Sequence, residues 1–172
     1  SFKNLNFNGS TLSSNNNFEF KINDKLKFSD IKIKSEIDLS NFVYKKDSAY
    51  LKKYIPNYKN KIELNDHKIQ LVFDKNKLTA NGKGKFLIDE RSDDIDYDIN
   101  FNDSGYDFKT KIKFKNDSLK FDIFNYKKDK NKNSILIIDG NYKKDKSFNF
   151  KNISFEESKN KFSINDLSLS NS

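Results

Sequence analysis

Apolar and polar residues alternate along most of this chain with a period of two. Phe18-Glu19-Phe20-Lys21-Ile22 leads through Asn23-Asp24 into Leu26-Lys27-Phe28, and Ile31-Lys32-Ile33 and Ile37-Asp38-Leu39 follow. The pattern returns in Ile62-Glu63-Leu64, Ile69-Gln70-Leu71-Val72-Phe73, Ile95-Asp96-Tyr97-Asp98-Ile99-Asn100-Phe101, Tyr106-Asp107-Phe108 and Ile112-Lys113-Phe114. The last third adds Leu119-Lys120-Phe121-Asp122-Ile123, Phe148-Asn149-Phe150, Ile153-Ser154-Phe155, Phe162-Ser163-Ile164 and Leu167-Ser168-Leu169. Successive side chains of a β-strand point to opposite faces of the sheet, so one face collects Phe, Ile, Leu and Tyr and the other Lys, Asp, Asn and Ser. Leu71-Val72-Phe73 and Ile135-Leu136-Ile137-Ile138 are apolar on both faces.

Asn, Asp and Gly punctuate these runs at Asn23-Asp24, Asp74-Lys75-Asn76, Asn102-Asp103-Ser104-Gly105, Asn116-Asp117, Asp139-Gly140-Asn141 and Glu157-Ser158-Lys159-Asn160. These residue types accept the positive φ of tight turns, and Asp139-Gly140 is the strongest hairpin signal. Short connections join antiparallel neighbours, so the pattern predicts a meander of 12 to 14 short strands. Asn125-Tyr126-Lys127-Lys128-Asp129-Lys130 recurs word for word at Asn141–Lys146, a spacing that two strands and their turns would give. One segment departs from the alternation. From Asp47 to Ile55, Tyr50, Leu51, Tyr54 and Ile55 fall on one side at helical spacing, Asp47 can cap and Pro56 would stop the run. A two-turn helix near 47–55 is expected to cap or plug one end of the sheet. No linker-like shift in composition divides residues 1–172, which read as a single segment.

Composition sets limits on this picture. Leu, Ile, Val and Phe make up 49 of 172 residues, enough to fold, while charged residues take 34% and leave only a thin core. Cys and Met are absent, which removes disulfides, thiol nucleophiles and Cys-based metal sites, and leads us to expect that Ser1 begins a fragment of something longer. No run approaches the roughly 18 apolar residues of a membrane span. The net charge of +8 comes from 32 Lys and Arg91 alone. Base readout and phosphate forks lean on arginine, so the charge reads as a solubilising face, and no nucleic-acid partner is expected.

Candidate chemistry is sparse. His67 is the only histidine and sits in Asn65-Asp66-His67-Lys68, which reads as a solvated turn. Asp94, Asp96 and Asp98 have the opening spacing of a calcium loop, but Ile99 stands where that loop needs Gly and Gly105 where it needs Glu. These carboxylates read as the polar face of a strand. Gly82-Lys83-Gly84 continues into Lys85-Phe86-Leu87-Ile88, a strand and not the helix of a phosphate loop, so the glycines mark a bend or bulge. No catalytic residue, metal site or cofactor is assigned, and an enzyme is not expected.

What remains is the apolar face, which a sandwich, a closed barrel or an open trough would each accommodate. The Tyr54-Ile55-Pro56 stop, the stretch from Ile69-Gln70-Leu71-Val72-Phe73 through Leu78-Thr79-Ala80-Asn81-Gly82-Lys83-Gly84-Lys85-Phe86, and Ile95-Asp96-Tyr97-Asp98-Ile99 resemble the AsmA-like family, the TamB/YhdP group of periplasm-spanning lipid-transfer proteins. Leu119-Lys120-Phe121 and the closing run from Phe162 to Leu169 add to the likeness, which covers nearly the whole chain but rests on pattern and composition. The resemblance implies a mainly all-β chain whose long antiparallel meander curls into an open groove, a half-pipe with one short helix. It further implies phospholipid acyl chains as partners and a place in the periplasm of a Gram-negative cell. There the protein would be tethered to the inner membrane by an anchor outside this chain and would face an outer-membrane partner. Under that reading the lipid-binding groove comprises Phe18, Phe20, Ile22, Leu26, Phe28, Ile31, Ile33, Ile37 and Leu39, together with Ile95, Tyr97, Ile99, Phe101, Phe121, Ile123, Phe148 and Phe150. The competing expectation is a structural or adhesive β-repeat in which the same residues close a dry core.

Overall fold

A computed structural model describes residues 5–6, 9–89, 91–144 and 147–170, with the backbone alone for Leu5, Asn6 and Ile123. The chain is mainly β: one long antiparallel sheet that stays open, with one short helix. Its strands are β1 (Leu5–Asn6), β2 (Thr11–Ile22), β3 (Phe28–Ser40), β4 (Phe42–Lys45), β5 (Lys61–Asp74), β6 (Lys77–Leu87), β7 (Ser92–Asn102) and β8 (Gly105–Phe114). After an excursion come β11 (Ser134–Lys143), β12 (Phe148–Glu157) and β13 (Asn160–Leu169). From β5 onward each pairs with the strand before it in this sheet, as a meander requires. The excursion holds a two-stranded sheet of its own, β9 (Leu119–Phe121) and β10 (Tyr126–Lys128). Both β3 and β4 lie along β5, while β2 pairs with β3 and β1 with β4, so the eleven segments fill nine side-by-side places.

The thirteen strands of the described residues fall within the expected number, but several are longer than the turn signals suggested. Ile31-Lys32-Ile33 and Ile37-Asp38-Leu39 belong to one strand of 13 residues, and Ile62 through Phe73 to one of 14. The reason is chemical. Asp and Asn accept a left-handed backbone inside a β-bulge as readily as in a turn. Asp30 (φ 52°) and Asp66 (φ 52°) mark bulges, and Asp166 (φ 53°) lies opposite the bulged Lys151. Asn41 (φ 57°) separates β3 from β4, its N–H donating to Asn65 Oδ1 at 3.0 Å and its carbonyl accepting from Ser10 Oγ at 3.0 Å. Ser10, Asn41 and Asp66 therefore stand level on three adjacent places and form a crease across the sheet. At each bulge the extra residue restores the parity of the strand, so the apolar face continues unbroken.

Two expectations of hairpin geometry fail. Asp139-Gly140 lies inside β11, where the register against β12 shifts by one residue, and the chain reverses later, with Lys143 N–H donating to Ser147 O at 3.0 Å. Gly140 is needed there because a Cβ would meet Asn149 O at 2.5 Å and the Phe108 ring at 3.2 Å. The repeated Asn-Tyr-Lys-Lys motif does not build the same turn twice: Asn125 ends a 3-10 turn in a left-handed conformation before β10, whereas Asn141 is already mid-strand. Lys146 and its neighbour Asp145 lie outside the described residues.

The helix α1 (Ala49–Tyr54) forms where predicted but is shorter, and Ser48 caps it in place of Asp47. Ser48 Oγ accepts from Leu51 N–H at 3.2 Å, while Asp47 pairs with Lys52 at 2.9 Å. Leu51 and Ile55 pack inward as expected, whereas Tyr50 points to solvent, 80% exposed. Together α1, the loop carrying Tyr58, and β9–β10 cover one end of the apolar face. Tyr58, Phe86, Ile88, Phe114, Leu119 and Phe155 form the core there, and Phe155 is fully buried. Phe86 meets Phe114 edge to face at 5.7 Å, and Phe155 stacks with Phe162 at 5.0 Å.

Candidate functional site: an apolar face left half open

The register assigns every strand residue to a face. Residues directly opposite across a ladder share a side, so the pairings run in continuous rows. One row crosses all nine places: Phe18, Ile33, Phe73, Leu78, Phe101, Tyr106, Tyr142, Phe148 and Leu169. Its aromatic members touch in sequence, with centroids at 5.8 Å (Phe101–Tyr106), 5.1 Å (Tyr106–Tyr142) and 4.7 Å (Tyr142–Phe148). The next row runs from Leu71 through Ala80, Ile99, Phe108 and Gly140 to Phe150 and Leu167. At about 4.8 Å between strands, the uncovered rows extend for roughly 40 Å.

These rows lie beyond the covered end. Their residues are shielded only by in-plane neighbours, and Phe18 (61%), Phe101 (38%) and Leu169 (51%) keep much of their surface in solvent. Of the residues expected to line a groove, Phe18, Phe20, Ile22, Phe28, Ile31, Ile33, Ile37, Tyr97, Ile99, Phe101, Phe148 and Phe150 share this face. Leu39 and Ile95 share it too, but Leu39 is buried and Ile95 packs against the covered core. Leu26 stands in the turn before β3 with φ 57°. Phe121 belongs to the cover, packed on Phe155 at 5.2 Å and Phe162 at 5.3 Å. Ile123 follows it in the 3-10 turn, its side chain outside the described residues. The selection missed Phe73, Leu78, Tyr106, Phe108 and Tyr142, which the same alternation marks.

At the crease the face carries two polar atoms. His67 is buried within β5 and is not the solvated turn residue its Asn-Asp context suggested, because Asp66 forms a bulge and not a reversal. Its Nε2 lies 3.0 Å from Lys85 O, Nδ1 has no partner among the described residues, and burial holds the imidazole below its ordinary pKa. Burial likewise raises the Tyr97 hydroxyl. Gly82 and Gly84 leave the space on β6 into which the Tyr97 and His67 rings lean from either side.

The opposite face is a lattice of alternating charge. Lys83, Asp96 and Lys111 form one row, and Lys85, Asp94 and Lys113 another, with the aspartates on β7 between lysines of β6 and β8. An open hollow of about 530 Å³ is lined by two of these polar rows, Glu36, Gln70, Asn81 and Asp98 and then Asp38, Lys68, Lys83 and Asp96, and by Ile37, Ile69, Gly82 and Tyr97 of the row between them. Val43, Val72, Leu87, Ile135 and Ile137 are apolar exceptions on the charged face.

The remaining buried polar groups fasten the excursion. Asp93 accepts hydrogen bonds from the backbone N–H of Lys115 (2.9 Å), Asn116 (2.9 Å) and Asp117 (3.2 Å). Lys128, fully buried, donates from Nζ to the carbonyls of Asp117 (2.6 Å), Lys115 (3.2 Å) and Asp129 (3.2 Å). One turn is thus gripped through its donors by an anion and through its carbonyls by a cation. Burial lowers the Lys128 pKa, and burial followed by the Asp93 and Asp89 charges raises Asp117 to about 6. Nothing in the sequence separates Lys128 from 31 other lysines. Among the described residues no group of His, Asp and Glu could hold a metal ion, and no helix is long and apolar enough to cross a membrane. Comparison with protein-family models, curated proteins and solved structures finds no match to this chain.

Proposed function

We propose that the open half of the apolar face binds the acyl chains of a phospholipid. The observation that carries this reading is the row from Phe18 to Leu169, apolar at all nine places and covered by no other element among the described residues. A sixteen-carbon chain taken wholly out of water gains roughly 12 kcal/mol, and about half of that against a single face. Along the row no charged side chain interrupts the contact, so a chain can shift along it without a polar trap. The charge lattice opposite keeps the sheet in water. In this reading the chain is a segment of an AsmA-like carrier in the periplasm, tethered by an anchor outside it and delivering lipid towards an outer-membrane partner. It performs no catalytic step.

Native mass spectrometry of the gently purified chain, paired with an organic extract of the same sample, tests this. Phospholipid should co-purify, and Phe101→Asp with Phe148→Asp should remove it while the circular dichroism of the sheet is unchanged. Both residues lie outside the covered core, so the fold does not depend on them. A lipid-free, stably folded wild-type chain would sink the proposal and return the face to a structural role.

A further inference from the structure

The β2–β3 hairpin projects beyond the rest of the sheet. β3 pairs with β5 only from Lys32 onward, so residues 18–31 form a two-stranded ribbon with no β5 neighbour beneath most of its length. It is the most exposed apolar part of the molecule: Phe20 (51%), Ile22 (51%) and Phe28 (62%) stand in solvent, with Phe20 and Phe28 edge to face at 5.2 Å. Among the described residues, β2 has no partner along its outer edge. Exposed edges are templates for another strand unless charge, proline or a bulge protects them. β2 has no proline, its bulge partner lies on β3, and its only charges are Glu19 and Lys21.

These two charges are placed for self-recognition. In Phe18-Glu19-Phe20-Lys21-Ile22, an antiparallel second copy centred on Phe20 sets Glu19 opposite Lys21 of the other copy, and Lys21 opposite Glu19. Phe18 then faces Ile22, and Phe20 faces itself. All five pairs match in face and none sets like charges together. We infer that the outer edge of β2 is a homotypic strand-pairing site that joins two copies of this chain through Phe18–Ile22 about a two-fold axis at Phe20. Glu19 and Lys21 are 56% and 77% exposed, and Lys21 already holds Asp30 at 2.7 Å, so it would bridge two carboxylates. The ribbon's own charge favours this occupant over an anionic membrane: Lys21, Lys25 and Lys27 are balanced by Glu19, Asp24 and Asp30. The pairing lays the two apolar faces on the same side of one longer sheet. It does not rest on the acyl-chain reading.

Sedimentation equilibrium of the 172-residue chain and three variants tests the register. Wild type should dimerise. Glu19→Lys and Lys21→Glu should each weaken association at least about tenfold, since each sets two like-charge pairs across the axis. The double exchange should restore it to within about threefold, with circular dichroism unchanged throughout. Because the chain contains no cysteine, Phe20→Cys should form a reducible cross-linked dimer that Phe101→Cys does not. A monomer at every concentration, association that ignores the charge reversals, or binding to phosphatidylserine vesicles in place of dimerisation would overturn the inference.

Discussion

At Gly82 and Gly84 the sheet gives up two side chains on β6 so that rings from both neighbours can lie across its backbone, the way an aromatic fills the gap beside a strand glycine. The two positions are not equivalent. A Cβ at Gly82 would come nearest to the outer atoms of the Tyr97 ring, at 2.2 to 2.6 Å, and that ring can swing away. A Cβ at Gly84 would meet the His67 ring at 2.5 Å and also His67 Cα at 2.7 Å, where the Asp66 bulge fixes the backbone. Gly84→Ala should therefore destabilise the chain by about 2–3 kcal/mol and Gly82→Ala by about 1 kcal/mol, read from urea midpoints. Adding His67→Ala to Gly84→Ala should recover only part of the loss, since the backbone contact remains. Equal costs at the two glycines would mean that the bulge is not the rigid element. The sequence pointed to a bend or bulge at these glycines; the bulge lies instead on β5, opposite Gly84, and both glycines stand in an unbroken ladder with β7. The sequence also misplaced His67 because an aspartate that opens a turn and one that carries a bulge have the same local chemistry.

At the scale of elements, alternation was legible because one face of the sheet meets water, which separates apolar from polar positions cleanly. Asp94, Asp96 and Asp98 were placed correctly for that reason. Strand lengths were not legible, because Asp30, Asn41 and Asp66 satisfy positive φ without reversing the chain. The excursion between β8 and β11 was legible only as short strands and turns. Its attachment depends on Asp93 and Lys128, buried charges whose role appears only when turn 115–117 is seated between them. That attachment is sensitive to pH through Asp117. Its carboxyl keeps a proton to about pH 6 when folded and releases it near 3.8 when unfolded, so the folded chain binds more protons across that interval. The stability this group allows is greatest below the lower value and falls as pH rises through the interval. Asp117→Asn removes the ionised form, and should stabilise the chain at pH 7 by up to roughly 3 kcal/mol, with the gain shrinking toward pH 4. The difference in urea midpoint between variant and wild type isolates this group from every other titration. A difference that does not change with pH would show that Asp117 is free to ionise in the fold. Within the same cover, Phe155→Ala should cost about 3–5 kcal/mol, because the ring is fully buried among Phe121, Tyr126 and Phe162.

For the molecule as a whole, an open sheet covered at one end cannot distribute its stability evenly. Local opening is resisted most where apolar side chains are sealed from water and least where only the hydrogen-bond ladder holds neighbouring strands. The gradient should run along individual strands. On β12, the amide of Phe155 lies over the sealed core, while that of Phe148 lies under the bare row, seven residues away. On β8 the same contrast holds between Phe114 and Tyr106. Amide exchange should therefore be slowest at Phe114, Leu136 and Phe155, intermediate at Tyr106, Tyr142 and Phe148, and fastest in the ribbon from Phe18 to Ile31. Under the proposed acyl-chain binding, delipidation should accelerate the intermediate group alone, because a chain laid on the row would seal those positions and leave the covered end as it was. Phe101→Asp with Phe148→Asp should abolish that lipid-dependent difference without changing exchange at Phe155, which distinguishes a lost ligand from a damaged fold. Uniform protection from one end of β12 to the other, with or without lipid, would mean that the apolar row is closed over in solution, and the carrier reading would fall with it.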